Sequence, residues 1–170
     1  MSQIKVNSIV PTAGVPTGGG GGIIQIKQTT KTDTFSSTSS SFTDITGMSV
    51  TITPTSNTSK ILVSFSLGCF QNGTAGSRAF VNIVRDSTDI LLGDATTGHE
   101  CTYAVCTRSA NNNHIQIPVS GSFLDSPSTT SATTYKVQAA CTGNAVTINK
   151  FYNSSNYYGI STLTAMEVAA

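Results

Sequence analysis

The segment GHECTY sets His99, Glu100 and Cys101 side by side, and a thiol with a neighbouring imidazole is the starting material of nucleophilic catalysis. Such a pair works only when the base reaches the thiol. A strand entered from a loop alternates these three residues across two faces instead, so an ordinary strand start is the favoured reading. His114 follows three asparagines and reads as a surface or interface residue. Only eight carboxylates are available. Asp86 and Asp89 flank a tight turn in RDSTDI, where aspartate is a turn former first. A glycosidase needs two carboxylates across a cleft, and nothing in the spacing of Asp94, Glu100 and Asp125 sets them there. The four cysteines, Cys69, Cys101, Cys106 and Cys141, contain one C-x4-C and no zinc spacing. They read as small, reduced core residues. The five glycines at 18–22 lack the Lys–Ser/Thr pair of a phosphate loop and precede a strand. No enzyme activity, cofactor or metal is therefore expected.

One further cluster has the right chemistry for binding. FYNSSNYYG gathers Phe151, Tyr152, Tyr157 and Tyr158 beside the amides Asn153 and Asn156. Aromatic faces beside amides suit a sugar ring and its hydroxyls. The same residues also suit packing against a partner copy or a sandwich rim, and that reading weighs somewhat more.

Composition narrows the partners. Only 10% of the 170 residues are charged, against roughly a quarter in ordinary soluble domains. Ser, Thr, Asn and Gln carry the polarity, and the net charge is +1. Such a chain offers no field for nucleic acid or an anionic membrane, so neither is an expected partner. No apolar run approaches the roughly 20 residues of a membrane span, and no secretory signal is visible. Synthesis in a cytoplasm is the expectation. The three N-x-S/T triplets, at Asn57, Asn72 and Asn153, then carry little weight.

The elements that position these residues are strands. KILVSFSLGCF puts Ile61, Val63, Phe65, Leu67 and Cys69 on one face, with Lys60, Ser64 and Ser66 on the other. Met48, Val50 and Ile52 alternate in GMSVTITP until Pro54 stops them. Ile115, Ile117, Val119 and Phe123 share a face, as do Tyr135, Val137, Ala139 and Cys141. Further strands are expected at residues 23–30, 78–85, 88–92, 101–107, 145–151 and 160–168, with no convincing amphipathic helix. Turn-rich breaks such as QNGTAG, RDST and DSPSTTSA separate them. Many strands with short turns and half-buried alternation predict an all-β fold, an antiparallel β-sandwich of jelly-roll type over residues 23–170.

Residues 1–22 are of another kind. Ile4, Val6, Ile9, Val10, Pro11 and Val15 form an apolar, proline-bearing arm that ends in the pentaglycine. Extended, it reaches on the order of 70 Å. Apolar side chains in a segment with no core of its own point to a tether on another chain, docked by strand addition or in a seam between subunits.

The blocks SKILVSFSLG, FVNIVRDSTDILLGDA, FLDSPSTTSATTYKVQ and STLTAMEVA, in that order, resemble the β-sandwich surface proteins of marine and cyanobacterial tailed phages. That family covers capsid decoration proteins and tail-fibre domains, and the opening arm is similar to the start of its short stand-alone members. The resemblance implies a β-sandwich displayed on the virion surface as a homotrimer, made in the host bacterial cytoplasm. The expected partners are the chain itself and the major capsid protein or another virion protein. The arm would anchor a cement protein, three arms acting together. The alternative is a tail-fibre tip that binds host-surface glycan through residues 152–158.

Overall fold

The structure, a computed structural model, describes residues 22–72, 77–93, 104–107, 117–150 and 158–169, with backbone alone at 69–72, 104–107 and 117. The described residues form strands and connecting turns, with no helix. In chain order the strands are β1 (Ile23–Lys31), β2 (Phe35–Ser37), β3 (Thr43–Ile52), β4 (Lys60–Asn72), β5 (Arg78–Arg85) and β6 (Thr88–Ile90). They continue with β7 (Ala104–Thr107), β8 (Ile117–Asp125), β9 (Thr133–Thr142), β10 (Val146–Ile148) and β11 (Ser161–Val168).

Two sheets result, and every pairing is antiparallel. In the first, β1 pairs β11, β11 pairs β4, and β4 pairs β8 on its other side. The short strands β2 and β10 pair each other, and β10 continues onto the end of β4. Thus β1 with β2, and β10 with β11, are single paths interrupted midway, and the sheet is four paths wide. In the second sheet β3 pairs β9, β9 pairs β5, and β5 carries β6 and β7 along its far edge. Counted as eight paths in chain order, the sheets read 1-8-3-6 and 2-7-4-5. That order is the jelly roll, two interlocked Greek keys.

Alternation explains why these segments are strands and which face each buries. Ile61, Val63, Phe65 and Leu67 of β4 are buried, as are Tyr135, Val137, Ala139 and Cys141 of β9. Met48, Val50 and Ile52 of β3, Val119 of β8 and Leu163 of β11 complete the inter-sheet layer. Each fully buried aliphatic side chain contributes about 1.5–3 kcal/mol.

The expected strand at 78–85 matches β5 residue for residue. Three departures have physical causes. The strand β2 lies in a serine-rich stretch with one apolar residue, Phe35, so periodicity misses it. The strand β3 starts four residues before Gly47, where the register shifts and the backbone turns to φ +84°. Glycine reaches that conformation at no steric cost, and the break hides the strand's first half from a search for strict alternation. The strand expected at 145–151 ends already at Ile148, because Asn149 sits at φ +60°. Its buried amide donates to the carbonyls of Lys31 (2.9 Å) and Asp33 (3.1 Å), satisfying the gap between β1 and β2.

Candidate functional site

The anchoring residues Ile4, Val6, Ile9, Val10, Pro11 and Val15 lie outside the described residues. What the structure describes is the root from which they extend. The amide of Ala169 donates to the carbonyl of Gly22 at 2.9 Å, and Ile23 lies opposite Val168. Both ends of the described chain therefore run side by side at one corner of the first sheet.

Glu167 locks that corner. Its side chain is wholly buried, yet the donors that hold it are neutral. Gln25 Nε2 donates to Oε2 at 2.6 Å, while the amide and hydroxyl of Thr55 each donate to Oε1 at 2.7 Å. The hydroxyl of Ser59 is a further donor. Burial pushes the carboxyl up, but the converging hydrogen bonds outweigh it and hold Glu167 below the usual glutamate range. Gln25 also donates to the carbonyl of Thr53 at 2.6 Å. The start of β1, the turn after β3 and the end of β11 are thereby joined through one carboxylate. No sequence signal marks this: Glu167 occupies an inward position of an apolar alternation, and its partners are over a hundred residues away.

Of the aromatic cluster, Tyr152, Asn153, Asn156 and Tyr157 lie outside the described residues. Tyr158 is described. It pairs across to Lys150 in a single antiparallel bridge, and the amide of Gly159 donates to the carbonyl of Asn149 at 3.2 Å. These bonds close the base of the loop that splits β10 from β11, and Tyr158 stands 58% exposed there.

Of the two carboxylates read as flanking a turn, Asp86 lies in the turn between β5 and β6, at φ +54°, and Asp89 in β6 just after it. Asp86 Oδ1 accepts from the amide of Thr134, and Asp89 Oδ1 accepts from Asn82 Nδ2. Asp125 is engaged structurally. Arg85 donates to both its oxygens at 2.7 and 2.8 Å, and the buried hydroxyl of Tyr135 donates to Oδ2 at 2.7 Å. The trio ties β5 and β9 of one sheet to β8 of the other. Burial, then the Asp125 carboxylate, push the Tyr135 phenol far up, so it stays a donor across the ordinary pH range. Cys141 is a buried free thiol donating to the carbonyls of Asn144 and Ser37. Asp94, His99, Glu100, Cys101 and His114 lie outside the described residues. Among the described residues no cluster of His, Cys, Asp and Glu is built to hold a metal ion.

No known family model matches the chain, and no curated protein matches it. Among solved structures it is similar to a chain of the infectious bursal disease virus Gx strain structure, with 15% identity and a TM-score of 0.42. The match takes in 94% of this chain and 44% of that one, so this chain spans less than half the length of its match.

Proposed function

We propose that the protein is a non-enzymatic component of a phage particle, a homotrimeric decoration or cement protein on the capsid exterior, held to the shell by residues 1–22. The observation that carries this reading is the corner fixed by Glu167. An apolar arm that starts from a rigid, hydrogen-bonded root passes tension into the sandwich without unravelling its first strand. The weakly charged, hydroxyl-rich surface supports the same reading, since it holds its contacts through changes of salt.

The test is deletion of residues 2–21, which leaves Gly22 and its bond to Ala169 in place. The truncated protein is expected to fold with an unchanged circular dichroism spectrum and to fail to bind particles lacking the wild-type protein. Particle binding equal to that of the full chain would overturn the anchoring role. On a stained gel of purified particles the full-length band should rank with the shell protein itself; a faint band of a few copies would speak for a fibre.

A second reading is a fibre tip that binds host-surface glycan. It is favoured by the exposed Tyr158 at the base of its amide- and tyrosine-rich loop. A glycan array on which Tyr158→Ala and the wild type behave identically removes it.

A further inference from the structure

One feature of the first sheet lies outside the core. Ile26 of β1 lies opposite Met166 of β11, Met166 opposite Leu62 of β4, and Leu62 opposite Leu124 of β8. Their strand neighbours Gln25, Glu167, Ile61 and Asp125 are the inward positions, so these four point outward. The result is an unbroken apolar row across the full width of the sheet. Its ends, on the two outermost strands, are 56% and 53% exposed at Ile26 and Leu124. Ile23, 57% exposed, extends it towards the Glu167 corner.

The surroundings of the row decide what fits it. The two rows beyond it are amide and hydroxyl throughout, from Gln28 and Thr30 on β1 to Ser122 and Ser120 on β8. The row on the other side carries one charge, Lys60, whose ammonium donates to Ser126 at 2.7 Å. The outward face of the second sheet differs, with Asp44 and Lys136 paired across it at 3.0 Å. A face so nearly free of charge offers nothing to a charged partner and meets a neutral surface of another copy without repulsion. Four strands at ~4.8 Å spacing and eight rows at ~3.3 Å make a face on the order of 500 Å² in projection. Two surfaces of that size reach the roughly 1,000 Å² that a specific interface needs.

We infer that this outer face, centred on Ile26, Met166, Leu62 and Leu124, is where a second copy of the chain docks. The inference rests on the self-assembly reading above and supplies one side of that contact, since in a three-fold ring this face meets a different patch of the next copy.

Sedimentation of the full chain tests it, alongside the double variant Ile26→Lys/Leu124→Lys and the control Ser49→Lys on the outward face of the other sheet. Both row positions are more than half exposed, so the variant should keep its melting temperature. The wild type and the control are expected to sediment as multimers, and the double variant as a monomer, with association weakened more than about tenfold. Should the lysine variant misfold, Ile26→Thr/Leu124→Thr retains strand propensity and should shift association the same way. A wild type that stays monomeric overturns the inference, as does a multimer unchanged in a folded row variant. A multimer lost only on deletion of residues 2–21 assigns the contact to the arm and also overturns it. Loss of particle binding by a chain that still multimerises bears on anchoring alone.

Discussion

At Glu167 a single proton decides whether the corner holds. The folded state keeps this carboxyl below its ordinary value of 4.5, so the unfolded chain takes up a proton first as pH falls. The stabilisation is therefore complete above about pH 5 and is lost as pH drops through the folded value. Melting temperature followed from pH 7 to pH 3 should decline more steeply in the wild type than in Glu167→Gln below pH 4.5. The variant itself should be less stable at pH 7 by about 3 kcal/mol in urea denaturation, because an amide turns a donor towards groups that already donate. Equal slopes for the two proteins would refute this account. Little of it was legible in advance. The turn at Asp86 could be read from RDSTDI because turn-forming residue types mark it locally, although the bond of Asp86 to Thr134 on β9 could not. The partners of Glu167 and Asp125 could not, since they are set by which strands meet.

Between elements, the close approaches are more telling than the strands themselves. Alternation located the long strands because each presents one face to a core and one to solvent. It could not place β2, and it could not foresee that β10 stops short at Asn149. At the break, the backbone of Ile160 lies against Gly68 of β4, and the Gly68 amide donates to Ser161 Oγ at 2.9 Å. A methyl group on Gly68 would stand 2.6 Å from the Ile160 nitrogen and 2.8 Å from its carbonyl carbon. Two backbones must then part. Gly68→Ala is expected to cost about 2–3 kcal/mol of unfolding free energy, whereas Gly22→Ala, with open space around it, should cost less than about 0.5 kcal/mol. Similar losses at the two sites would show that β4 and the returning loop are not held this closely.

For the molecule as a whole, the all-β class, the antiparallel pairing and the jelly-roll type followed from residue patterns, but which strand meets which did not. The pairing of β1 with β11 joins segments more than a hundred residues apart, and no local pattern encodes such a distance. What fixes it is the closing of both interrupted paths on each other through Asn149, and the shared core beneath.

The meeting of Gly22 and Ala169 has a practical sequel. Under the anchoring reading proposed above, the body would hang from a single suspension point, like a lantern on a hook. A fluorophore or epitope joined at residue 169 would crowd whatever the hook grips. The turn at Gly143, beyond the far end of β9, is roughly a strand length away, on the order of 40 Å. It is the place to hang a passenger that must face outward.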